Sequence, residues 1–181
     1  HLISATIRSV TGTNCLVQYG GQTNRMNLAL GGSAQFTPQL TLGRQTMNFN
    51  QSWKFKLGDY AGAQGVLYND TGWTNVGLPH SFSAPYFLWT QFYTGYGWYR
   101  KHFTVQPEWA GKRVYLEFEG AFQDAQIYVN GTLVGSHKGG YNGFSVDITS
   151  AAVVGDNVVA VRLNNNWNAQ LAPRAGDHTF S

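Results

Sequence analysis

Residues 112–137 (KRVYLEFEGAFQDAQIYVNGTLVGSH) carry the clearest structural signal in the chain. Apolar residues occupy every second position in both halves of this stretch: Val114, Leu116 and Phe118, then Ala125, Ile127 and Val129. A period of two places successive side chains on opposite faces, so each half is predicted to be a strand with one face on a core. Asn130-Gly131 tolerates the positive φ angles of a tight turn, which predicts a hairpin into residues 132–135.

Further strands are predicted on both sides of this hairpin. Residues 97–105, 144–148 and 157–163 show the same alternation or a short apolar run. The 181 residues include 22 glycines, 15% aromatic residues and only 12% charged residues. This composition is typical of a turn-rich, all-β protein, and long helices are not expected.

A small N-terminal unit is predicted to precede the main domain. Residues 5–10, 14–19 and 25–30 are three short runs that predict strands, with Gly20-Gly21 and Gly31-Gly32 as breaks. Three strands of this size bury little apolar surface on their own. Residues 1–46 are therefore expected to be a β appendage with a linker, and residues 47–181 the main domain.

Charge and cysteine content exclude several classes of function. The net charge is +3, but the basic residues form no clustered run, which argues against a nucleic-acid-binding protein. Cys15 is the single cysteine, so an internal disulfide and a cysteine-based metal site are excluded. The histidines lack metal-ligand spacing, and His80 and His102 are expected to make structural hydrogen bonds. No metal and no cofactor are expected.

Six segments form an ordered set of motifs: residues 49–55 (FNQSWKF), 73–80 (WTNVGLPH), 97–103 (GWYRKHF), 127–135 (IYVNGTLVG), 140–148 (GYNGFSVDI) and 155–162 (GDNVVAVR). In this order and spacing they resemble the N-terminal sugar-binding domain of glycoside hydrolase family 2. That family includes bacterial β-galactosidases, β-glucuronidases and β-mannosidases. The resemblance covers about residues 47–181.

The resemblance implies a fold and a domain context. The family's domain is a jelly-roll β-sandwich of the galactose-binding-domain-like type, which agrees with the strands predicted above. In the family it is followed by a further strand, an immunoglobulin-like domain and a TIM-type barrel. The chain is therefore expected to be a truncated piece of a retaining glycosidase, with β-galactosidase the expected activity and a β-glucuronidase or β-mannosidase parent the alternative.

Catalytic carboxylates are not expected in this segment. Retaining glycosidases need two carboxyl groups about 5 to 5.5 Å apart, and in family 2 enzymes both are glutamates on the barrel. Glu117 and Glu119 share a strand face and are the candidates for an autonomous active site, but a solvated outer face is the favoured interpretation. Glu108, in a Pro-Glu-Trp turn, is interpreted as a surface residue.

Candidate substrate-binding residues lie near the end of the chain. The loop from Asn164 to Arg174 offers amides, the Trp167 indole and the Arg174 guanidinium, the groups that grip sugar hydroxyls and stack on sugar rings. Loop packing explains these residues equally well. Asp177 resembles the acid that this domain contributes to the rim of the barrel's active site in β-galactosidases. Its alternative is an ordinary loop aspartate.

The aromatic loop of residues 86–96 has two interpretations. It could be a carbohydrate platform, but docking on the missing barrel is favoured, because a jelly roll without its partner domain should expose an apolar interface.

The favoured hypothesis is a non-catalytic domain that supports the barrel active site of a family 2 exo-glycosidase and contacts a terminal β-linked sugar. The alternatives are a free-standing carbohydrate-binding module and an interaction domain in which residues 2–37 recruit another protein. A scarcity of charged residues and an abundance of neutral polar ones favour a secreted or periplasmic location. Membrane and nucleic-acid partners are not expected.

Overall fold

A computed structural model describes residues 4–12, 14–19, 22–37, 44–85, 92–168 and 170–171. The chain divides into two compact units, residues 1–47 and 48–181. The described residues contain strands and one short 3-10 turn at Pro107–Trp109. In this part of the chain no helix has the length and apolar character needed to cross a bilayer.

The N-terminal unit consists of two antiparallel ribbons. One pairs β1 with β4 and the other pairs β2 with β3: β1 Ala5–Arg8, β2 Asn14–Tyr19, β3 Gln22–Asn27 and β4 Ser33–Phe36. The strand predicted at residues 25–30 has the wrong bounds, because β3 begins three residues earlier and ends at Asn27. The strand β4 was not predicted. Both are polar segments that become strands through pairing, which local apolar alternation does not report.

The larger unit is built on a six-stranded antiparallel sheet with the order β10-β9-β12-β7-β5-β6. Its strands are β5 Trp53–Leu57, β6 Thr74–Val76, β7 Tyr96–Val105, β9 Asp124–Val129, β10 Thr132–Lys138 and β12 Gly155–Asn164. A second sheet pairs β8 (Tyr115–Phe118) with β11 (Phe144–Asp147). The predicted alternation in residues 112–129 thus produces strands in two different sheets.

The main core lies between the two sheets. The six-stranded sheet supplies its central residues, and the second sheet covers them: Ala125, Ile127, Val129, Val159 and Val161 on one side, and Val146, Leu116, Phe118 and Phe144 on the other. Each strand turns its apolar residues inward because its side chains alternate between faces. The predicted all-β sandwich is confirmed, and the arrangement is consistent with a jelly roll.

The predicted hairpin is present between β9 and β10. Asn130 and Gly131 have φ angles of 50° and 85°, as a two-residue turn of this kind requires. The Asn130 side chain also holds the neighbouring loop, because its Nδ2 donates to Ala151 O at 2.9 Å and its Oδ1 accepts from Val158 N at 2.9 Å. The turn is therefore fixed by tertiary contacts as well as by its sequence.

A second, smaller core covers the opposite face of the six-stranded sheet. Residues 58–73 cross this face and bury aromatic and small residues against it: Ala63, Trp73, Trp98 and Ala160, with Tyr60, Tyr68 and Tyr128 at the margin. Arg100 on β7 lies fully buried beneath this segment. Its Nε donates to Asp70 Oδ2 at 2.8 Å, and its Nη1 donates to the carbonyls of Ala63 and Gly65.

The Asp70 carboxyl gives the fold a dependence on pH. Burial acts to raise the pKa of Asp70, but the hydrogen bond and charge of Arg100, helped by His102, outweigh it and leave the pKa below its ordinary value. The unfolded chain therefore binds this proton more readily than the folded one, and stability is lost as the pH falls.

We expect the free energy of unfolding to decrease below about pH 4, the ordinary range of an aspartate carboxyl. Urea denaturation of the wild type and of Asp70→Asn between pH 3 and pH 7 measures this. The variant should be less stable at pH 7 and show a shallower dependence on pH. Parallel curves for the two proteins would contradict the assignment.

Candidate functional site

Four loops meet at one end of the sandwich, which we call the loop end. The antiparallel order brings together the end of β12, the start of β7, the start of β9 and the end of β10. The connecting residues of the loop end are therefore 92–95, 119–123, 139–143 and 165–168. The opposite end carries the Asn130-Gly131 turn.

Asn165 joins two of these loops. Its side chain is buried, with Oδ1 accepting from Gly95 N at 2.7 Å and Nδ2 donating to Tyr93 O at 2.8 Å. Its backbone N–H donates to Gly95 O at 3.0 Å. Since both groups of the amide are satisfied, residues 93–95 are held against the end of β12.

Gln123 joins the other two loops, residues 119–123 and 139–143, to the end of β12. Its Nε2 donates to Asn166 O at 2.5 Å, and its backbone N–H donates to Asn164 O at 3.3 Å. Its backbone oxygen accepts from Gly139 N at 2.8 Å. Two buried amides therefore fix residues 164–166 from opposite sides.

Aromatic side chains are exposed around these anchored loops. Trp167 is 57% exposed, Tyr141 is 64% exposed and Phe92 is 44% exposed. Tyr141 packs edge-on against Phe122, with ring centroids 6.0 Å apart. Gly140 makes this contact possible, because a Cβ there would lie 2.2 Å from the Phe122 ring. The loop end thus presents aromatic surface on a backbone held by hydrogen bonds.

Sugars bind to this kind of surface. Aromatic rings pack on the C–H faces of a sugar, and amides exchange hydrogen bonds with its hydroxyls. Asn166 is exposed beside Trp167, and its backbone N–H is fixed by Asn164 Oδ1 at 2.9 Å. The exposed ring and amide together can hold a sugar.

The predicted site residues have different outcomes. Trp167 lies at the loop end and is exposed. Arg174 and Asp177 lie outside the described residues, so their roles remain predictions. Residues 86–91 of the aromatic loop are also outside them. Sequence reasoning did not single out Gln123. It offered the Asn165 amide as a sugar contact, whereas the structure buries that amide and satisfies it with Gly95 and Tyr93.

Of the other candidates from the sequence, Glu119 lies among the loop-end residues. Glu117 on β8, Glu119 and Glu108 are all exposed. His80 Nδ1 lies 2.8 Å from the Tyr99 hydroxyl, and burial lowers the pKa of His80 and raises that of Tyr99. His102 Nε2 lies 3.3 Å from Asp70 Oδ2. Across the described ranges, His, Cys, Asp and Glu form no group of three that could hold a metal ion.

Comparison with known proteins identifies the family of the chain. Residues 45–175 match the family model described as glycosyl hydrolases family 2, sugar binding domain. The chain belongs to glycosyl hydrolase family 2. The resemblance found in the ordered motifs is confirmed, and the matched residues are the sugar-binding domain of this family.

Family 2 relatives carry two activities in their names. The chain is 37% identical over 137 residues to a β-galactosidase of Thermoanaerobacter pseudethanolicus, which covers 73% of this chain and 18% of the relative. It is 34% identical over 134 residues to a β-glucuronidase of Formosa agariphila, covering 68% of this chain and 14% of the relative. The crystal structure of a Bacteroides uniformis β-glucuronidase matches with a TM-score of 0.70 and 36% identity, over 75% of this chain and 16% of that one. The family 2 chain described here thus spans less than a fifth of these relatives.

Proposed function

We propose that this chain is the non-catalytic, sugar-binding part of a larger family 2 exo-glycosidase, and that its loop end contacts a terminal β-linked sugar. The observation that carries the proposal is the exposed Trp167 on a loop that the buried amides Asn165 and Gln123 hold in place. The bond-breaking carboxylates would belong to a barrel elsewhere in the parent. A secreted or periplasmic location suits a protein with few charged residues.

β-Galactosidase is the proposed activity of the parent, and β-glucuronidase is the alternative, since relatives of both names match. The test is hydrolysis of nitrophenyl β-galactoside, β-glucuronide and β-mannoside by the complete protein and by the 181-residue chain alone. The complete protein should prefer the galactoside, and the chain alone should show no turnover. Turnover by the isolated chain that Glu117→Gln abolishes would overturn the non-catalytic assignment.

We expect Trp167→Ala to raise the KM of the complete enzyme about 3- to 10-fold, because the ring would lose its stacking on the sugar. The melting temperature should change little, since the side chain is 57% exposed. Steady-state kinetics and thermal denaturation measure the two effects. Tyr115→Ala is the matched control, because Tyr115 is an exposed aromatic of β8 and lies away from the loop end. Equal KM values for the wild type and Trp167→Ala would contradict sugar binding at this site.

A free-standing carbohydrate-binding module is the second candidate. It is favoured by the hydrogen bonds that hold the loop end within this chain, without help from another domain. Calorimetric titration of the 181-residue chain with galactose, glucuronic acid and their methyl β-glycosides distinguishes a free-standing module from a domain that needs the rest of the enzyme. Binding that Trp167→Ala removes would support the module, whereas the domain proposal expects very weak binding or none.

A further inference from the structure

Gln123 occupies a position where an apolar residue would be expected. It immediately precedes β9, two residues before the buried Ala125, and it is only 1% exposed. Moving an amide from water into such surroundings is unfavourable unless all of its polar atoms find partners. A residue chosen for packing alone would be leucine or methionine.

The Gln123 amide is only half satisfied. Its Nε2 donates to Asn166 O, but its Oε1 is buried and makes no hydrogen bond within the described part of the chain. His137 Nε2 is also buried and makes no hydrogen bond within the described part of the chain. His137 pairs with Ala125, which lies two residues after Gln123. Both polar atoms are therefore buried without a hydrogen bond among the described residues.

The hydrogen bond that Gln123 does make is directed at the sugar-contacting loop. Asn166 immediately precedes Trp167, and the other anchor of this loop, Asn165, fixes its opposite side. Departures from good core chemistry are expected where function requires them. The hydrogen bond from Gln123 therefore fixes the backbone immediately before Trp167.

We propose that Gln123 is a positioning residue for sugar binding, which acts by holding the backbone of Asn166 and so the placement of the Trp167 ring. The inference rests on the proposed function, because it requires that Trp167 contacts the sugar. Gln123 touches no substrate itself.

The test is a double-mutant cycle in the complete enzyme with Gln123→Leu and Trp167→Ala. Gln123→Leu should raise KM about 3- to 10-fold with kcat nearly unchanged, the effect of losing one hydrogen bond that holds the binding loop. In the Trp167→Ala background the same substitution should raise KM less than about twofold, because residues that act as a unit are not additive. The melting temperature of Gln123→Leu should be equal to or above that of the wild type.

Gln126→Leu is the matched control, since Gln126 lies on β9 three residues after Gln123, and its Oε1 accepts from Arg162 Nη1 at 3.1 Å. It should leave KM unchanged. If Gln123→Leu fails to fold, Gln123→Met tests the same loss with a side chain of closer shape.

The outcomes separate the two proposals. If Trp167→Ala leaves KM unchanged, the proposed function is wrong and the positioning role falls with it. If Trp167→Ala raises KM but Gln123→Leu does not, or if the two effects multiply fully, only the positioning role is wrong.

Discussion

Arg100→Met is expected to lower the free energy of unfolding by about 3 to 5 kcal/mol, the usual effect of removing one partner from a buried ion pair. The substitution would leave the Asp70 carboxylate buried without its cation and would remove the donor to the carbonyls of Ala63 and Gly65. Residues 58–73 would then lose the hydrogen bonds through which Arg100 attaches them to β7. Urea denaturation at pH 7 measures the change.

Two further variants define the cause of this loss. Arg113→Met is the matched control, because Arg113 is 76% exposed and its Nη2 lies 3.3 Å from the exposed Asp147, so little change is expected. The double variant Arg100→Met, Asp70→Asn should be less destabilised than the sum of the single variants, since it leaves no buried carboxylate. A loss below about 1 kcal/mol for Arg100→Met would show that the pair does not hold this segment.

Asn130→Ala is expected to lower the free energy of unfolding by about 3 kcal/mol, at roughly 1 kcal/mol for each side-chain hydrogen bond lost. The lost bonds are those to Ala151 O, to Asn157 Oδ1 at 2.7 Å and from Val158 N. Alanine also tolerates the φ of 50° poorly. Chemical denaturation of the 181-residue chain measures the loss.

Asn130→Gly separates the turn from the hydrogen bonds. Glycine adopts the positive φ without strain, so this variant should be more stable than Asn130→Ala by about 1 kcal/mol and still less stable than the wild type. Wild-type stability in Asn130→Gly would mean that the contacts to the loop before β12 contribute nothing, which would contradict the hydrogen-bonding assignment.

Local patterns predicted the parts of the fold that depend on neighbouring residues. The alternation in residues 112–129 located β8 and β9, and Asn130-Gly131 located the turn, because strand faces and turn angles follow from adjacent positions. The same reasoning missed β4 and misplaced β3 in the N-terminal unit. The residues of β3 and β4 are mostly polar, and they form strands because they pair with other strands.

The burial of residues on the second face of the six-stranded sheet could not be predicted from local sequence patterns. Alternation in β7 places Arg100 on the side away from Tyr99 and the main core, a position where a charged residue ordinarily meets solvent. Residues 58–73 have the sequence of a glycine-containing loop. No local feature of that sequence indicates that they cover the second face of the six-stranded sheet. The ion pair with Asp70 became visible only in three dimensions.

The amino-acid sequence by itself determined that the protein is an all-β sandwich with a hairpin at Asn130-Gly131 and that it belongs to family 2, because alternation, turn chemistry and motif order are read along the chain. Only the tertiary structure decided which loops meet at the loop end and which polar side chains are buried beneath them. Those features depend on contacts between distant positions, such as Arg100 with Asp70, Gln123 with Asn166 and Asn165 with Gly95, and the folded backbone alone brings such residues together.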